Sequence, residues 1–162
     1  MRERERALRS ARLSILSSGK SAMVSGSGDD NQQVRKPTSQ LPTIHPVGIP
    51  GDAVHPLLAT RSQARTVFAS DAVIIHYRQH AGQFDVKRAE AMLADVIHDP
   101  WAVYQGKKAS TLIFVAEFDT DHYLIVPIKT LANELWLETL YIESRRRFLK
   151  RRWTQQGLLY RR

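Results

Sequence analysis

One run constrains the fold more than any other: residues 111–118, Thr-Leu-Ile-Phe-Val-Ala-Glu-Phe, are apolar at almost every position rather than at every second one. A strand with one wet face alternates. A strand that is apolar on both sides needs a covered sheet face above it and another below. The turn Asp119-Thr-Asp-His122 follows and leads into a second run, residues 123–129, so the two predict a hairpin. Pro127 cannot donate to a strand ladder and predicts an edge or a bulge at that point.

The flanking periodicities supply the partners. Residues 66–69, Thr-Val-Phe-Ala, read as a short strand. Ser70 and Asp71 supply the N-cap and acidic first turn of a helix running to about His80 and ended by Gly82. Asp85 caps a second helix in which Val86, Ala89, Leu93, Val96 and Ile97 recur at spacings of three and four, a single buried stripe. Asp99-Pro100 stops it. Residues 103–106 predict a short strand. Residues 135–142 predict a last one, with Leu135, Leu137, Thr139 and Tyr141 on one face and Trp136, Glu138, Leu140 and Ile142 on the other. Helices come first and sheet afterwards, so the expected class is α+β, two N-terminal helices packed on a small antiparallel sheet.

Outside residues 65–147 the texture changes. Residues 1–20 predict a short basic helix or a disordered segment. Residues 21–64 are rich in Ser, Gly, Gln, Asp and Pro and predict a disordered linker, with Pro37, Pro42, Pro46, Pro50 and Pro56 interrupting any helix. Residues 148–162 read as a basic tail. No run of apolar residues is long enough to span a membrane, and the charged start carries no secretory signal pattern.

The net charge of +8 is unevenly spread. Residues 145–162 carry eight bases and no acid, whereas residues 21–144 carry ten bases against fourteen acids. Attraction to phosphate therefore falls to the basic N-terminal segment, residues 1–20, and to the C-terminal cations: Arg145, Arg146, Arg147, Lys150, Arg151 and Arg152. With Phe148, Leu149 and Trp153 the latter form a basic amphipathic segment. It suits nucleic acid, an anionic membrane surface, or a solvated helix end; nucleic acid is preferred, because the rest of the domain offers little positive charge.

The ordered set of a strand, a Ser-capped helix ending in His80, a second helix, Asp99-Pro100-x-x-Val103, a hairpin ending in Ile128-Lys129-Thr130 and a strand with Glu138-Thr139-x-Tyr141 resembles the phage-associated nuclease-like domains of the barnase, EndoU, colicin and RelE group, as found at the C-termini of phage minor head proteins. That resemblance implies a ribonuclease that needs neither metal nor cofactor, or a descendant that has lost the activity. It also implies a cytoplasmic or virion-associated protein whose partners are RNA and, beyond it, phage head proteins or an inhibitor. By position it nominates His80 as acid or base, Lys129 and Thr139 at the phosphate, and Tyr141 beside them.

Each nominee has a plainer role. A histidine at a helix C-terminus interacts with the last carbonyls, a lysine ending a strand is solvated, a strand threonine serves β-propensity, and Tyr141 packs in a core. His76 and His80 share a helical face as zinc ligands do, but no Glu follows the first and no third ligand is apparent. The rival to an enzyme is a non-catalytic, virion-associated module that binds nucleic acid or protein. Convergence of His80, Lys129 and Thr139 on one cleft would separate the two.

Overall fold

A computed structural model describes residues 42–162. Its elements, in chain order, are β1 (Ile44–Gly48), α1 (His55–Ala59), β2 (Val67–Ser70), α2 (Asp71–Arg78), α3 (Val86–His98), β3 (Ala102–Gln105), β4 (Thr111–Glu117), β5 (His122–Leu131), β6 (Glu134–Leu137), β7 (Tyr141–Ser144), α4 (Arg145–Phe148), α5 (Arg152–Gln156) and β8 (Leu158–Arg161). The strands form one eight-stranded sheet in the order β1-β2-β6-β5-β4-β3-β8, with β7 pairing the first half of β5. All pairs are antiparallel except β2 with β6, so the sheet is mixed. The expected small antiparallel sheet beneath two N-terminal helices is therefore corrected. The sheet is the larger part of the fold, a strand and a helix precede β2, and short helices follow β7.

The central run behaves as its composition demands. In β4, Leu112 and Phe114 enter a core shared with α1, α2 and α3, while Ile113 and Val115 enter a second core on the opposite face. β5 alternates likewise, with Leu124 and Val126 on the first face and Tyr123 and Ile125 on the second. Ser70 accepts a hydrogen bond from the Val73 N–H and Asp85 one from the Arg88 N–H, so both helix starts have their side-chain caps. All five residues of the expected α3 stripe are buried. At roughly 1.5–3 kcal/mol for each large apolar side chain, that stripe is a main source of stability.

Three boundaries differ from expectation. Within the linker reading, residues 42–64 carry β1 and α1, and Val54 and Leu58 are 0% and 1% exposed. The prolines that suggested a linker fit these elements: Pro46 lies in an edge strand, next to a register shift, and Pro56 in the first turn of α1. β1 also lies close against α3, where a side chain at Gly48 would come within 2.8 Å of Ile97 Cδ1. The reading of residues 1–20, and of the linker before residue 42, lies outside the described residues.

The basic tail is folded too. Phe148, 1% exposed, is the centre of the second core, and β8 pairs antiparallel with β3. Finally, the last strand is two strands. β6 and β7 both lie beside β5, and between them the Glu138 N–H donates to the Pro127 carbonyl. Pro127 thus sits where its neighbouring strand is interrupted, which is how an interior strand tolerates it.

Candidate active site

A cleft of about 560 Å³ opens where the start of β5, the β7 strand and the turn after α2 meet. Among the described residues β7 pairs only with β5, and its residues Tyr141 to Ser144 line the cleft. His80, Asp119, His122, Tyr141, Glu143 and Arg147 supply its chemistry, and Phe84, Phe118 and Ile142 its apolar wall.

Two histidines reach the cleft by different routes. The chain leaves α2 through Gln79, and the backbone bonds His80 N–H to Tyr77 and Gln83 N–H to His80 set His80 in a tight turn. Its ring meets His76 edge-on at 5.4 Å between centroids. His122 opens β5, and its Nδ1 lies 2.9 and 3.1 Å from the two carboxylate oxygens of Asp119. With Nδ1 protonated and donating, Nε2 is left as an acceptor. Asp119 is itself held by the Asp121 N–H at 2.8 Å. That backbone donor, opposed by desolvation and helped by His122, keeps the carboxyl below its ordinary range. The guanidinium of Arg88 braces the same turn, lying 4.6 Å from the centre of the Phe118 ring and donating to the Phe118 carbonyl at 2.6 Å.

Across the cleft, burial and then the neighbouring Glu143 push the Tyr141 phenol upward, so it remains a hydroxyl donor. Glu143 is 5% exposed and carries Arg151 in a two-pronged bond, Nε at 3.0 Å and Nη2 at 2.7 Å from Oε1. Such a charge-assisted, bidentate bond pairs the buried carboxylate with a cation. Arg147, exposed in α4, brings a cation to the cleft.

Of the residues nominated from sequence, His80, Tyr141 and Arg147 converge here. Lys129 and Thr139 do not. Lys129 lies seven positions along β5 from His122, about 24 Å at 3.4 Å per residue, opposite Thr111 and Trp136. Thr139 falls in the break between β6 and β7, not on a strand face. Two of the six nominated cations are engaged internally: Arg145 with Glu117 at 2.7 Å and over the Tyr123 ring, and Arg151 with Glu143. Arg146, Arg147, Lys150 and Arg152 are exposed and carry no ion pair among the described residues.

His122 is the residue that sequence reasoning passed over. Its signal was the Asp-x-x-His spacing across a tight turn, which places a carboxylate beside an imidazole. Among the described residues no group of three or more His, Asp or Glu side chains is placed to hold a metal ion, and no helix is long and apolar enough to cross a membrane. No family model, curated protein or solved structure matches the chain.

Proposed function

We propose that this cleft cleaves RNA without a metal ion. The carrying observation is the pair of imidazoles, one of them oriented by Asp119, lining a single cleft with Arg147. His122 Nε2 takes the proton of a 2′-hydroxyl, which attacks the adjacent phosphorus. The bond from phosphorus to the 5′-oxygen breaks, and protonated His80 delivers its proton to that oxygen. Arg147 and the Tyr141 hydroxyl face the negative charge that builds on the phosphate oxygens. The products end in a 2′,3′-cyclic phosphate and a 5′-hydroxyl.

The test is cleavage of mixed RNA by the full chain in EDTA. His122→Ala and His80→Ala should each slow it by roughly two to four orders of magnitude. DNA, which has no 2′-hydroxyl, should survive. Cleavage of DNA, or activity lost in EDTA and restored by a divalent ion, would rule the mechanism out. A second reading is favoured by the distance of Lys129 and Thr139 from the cleft: a non-catalytic module that binds nucleic acid through the same cations. Binding of RNA with no cleavage would establish that reading instead.

A further inference from the structure

We propose that a second cavity, bounded by the end of β3, α5 and the turn between α5 and β8, is a nucleobase subsite for single-stranded RNA. It deepens the reading of the histidine cleft, on which its choice of ligand rests. The cavity has a volume of about 460 Å³ and is mostly apolar, with Trp153 in its wall and Lys107 and Arg152 at its rim; among the described residues no carboxylate lines it. A flat aromatic ring flanked by cations suits a base with its phosphates, because stacking takes the ring face and charge takes the backbone.

The wall is preformed. Trp153 is held edge-on by Tyr104 and Phe148, at 5.4 and 5.5 Å between centroids. The Gln105 side chain is fixed by Arg61 at 2.7 Å and by the Thr111 and Lys108 carbonyls at 3.0 Å. Gly157 packs its backbone on β3, where its carbonyl accepts from the Gln105 N–H at 2.6 Å and a side chain would strike the Trp153 carbonyl oxygen at 2.7 Å. Little conformational freedom is left to lose when a ring enters.

Position ties the cavity to the cleft. Arg147 lines both the histidine cleft and a neighbouring groove of about 360 Å³, whose other lining residues are Lys150 and the paired Arg151 and Glu143. Arg152, next in the chain, borders the Trp153 cavity. In chain order, the cations from Arg147 to Arg152 lead from a residue that lines the histidine cleft to one that borders the tryptophan cavity.

The experiment measures anisotropy of a labelled ten-nucleotide 2′-O-methyl RNA, which cannot undergo 2′-hydroxyl attack, with the full chain. Trp153→Leu should weaken binding roughly 5- to 160-fold, the usual range for one stacked base. Since that change touches the second core, Gln156→Glu, which puts a negative charge at an exposed cavity position, supplies the independent test and should weaken binding at least roughly fivefold. Lys107→Ala with Arg152→Ala should lower the salt slope by about 1.4, two contacts at 0.7 each. Wild-type affinity in Gln156→Glu and in the double variant would overturn the subsite while leaving cleavage untouched. Equal, Trp153-dependent binding of a duplex, or full competition by polyglutamate, would also overturn it, the latter pointing to an acidic peptide. Trp153-dependent binding without any RNA cleavage would retain the subsite and remove the catalytic reading.

Discussion

Phe148→Ala tests whether the C-terminal segment is part of the folded core or a solvated tail. The ring is 1% exposed and lies 4.4 Å from Tyr123, 5.7 Å from Tyr104, 5.5 Å from Trp153 and 6.5 Å from Trp101, centroid to centroid. Tyr104 and Tyr123 belong to sheet strands and cannot move far into the vacated space. The cost should therefore approach that of other rigid aromatic cavities, about 3–5 kcal/mol. For a domain of this size that corresponds to a fall of roughly 10–25 °C in Tm. Guanidinium unfolding followed by tryptophan fluorescence should show a lower midpoint at unchanged slope. Leu149→Ala, at a side chain 65% exposed, is the control and should stay within about 0.5 kcal/mol of the parent. A Phe148→Ala cost below about 1 kcal/mol would refute the packing and remove the support under Arg147.

Three further outcomes rest on the same packing and on the site. Leu58→Ala should cost about 2–5 kcal/mol, and limited proteolysis of the parent should leave β1 and α1 joined to the sheet; rapid cleavage between Leu58 and Val67 would contradict their packing. Lys129→Ala and Thr139→Ala should leave RNA cleavage within roughly twofold, and a loss beyond tenfold would move the phosphate site. The depressed Asp119 carboxyl contributes stability that is present above the ordinary value of 3.8 and is lost as pH falls through its lower folded value. Asp119→Asn should accordingly flatten the acid limb of the unfolding curve below about pH 4, read by circular dichroism; an unchanged limb would assign the acid sensitivity elsewhere.

What was legible in the sequence was local chemistry. Ser70 and Asp85 cap their helices because a short oxygen-bearing side chain next to an apolar stripe has few better uses, and the α3 stripe declares its buried face by spacing alone. The hairpin of β4 and β5 was legible for the same reason. β1 was hidden because Pro46, Pro50 and Pro56 carry the same composition in a linker, an edge strand and a first helical turn. Burial of Val54 and Leu58 depends on α3 and the sheet, which are distant in the chain. The charge of the tail was legible but its pairing was not: Arg145 and Arg162 are matched by Glu117 and Asp99, remote in sequence, and Arg151 by Glu143, eight positions upstream.

The site turns on a single phase change. Read as one uninterrupted strand, residues 135–142 put Leu135, Leu137 and Tyr141 on the same face. In the structure Leu135 and Leu137 are buried in the first core, and so are Leu140 and, at its margin, Ile142, while Tyr141 packs on the second. The break at residues 138–140 shifts the alternation by one position, as an extra residue opposite a continuous partner does. Without that shift Tyr141 and Glu143 would face α2 and α3, and the buried Glu143 would have no route to Arg151. With it, Tyr141 and Glu143 stand opposite Ile125 and Tyr123, beneath the segment that carries Arg147 and Arg151. Ser144 pairs with His122 at the start of β5. The edge of β7 away from β5 then lies between the histidines' side of the sheet and the cationic side, so the cleft beside it is lined from both faces, the arrangement on which the proposed phosphate chemistry rests.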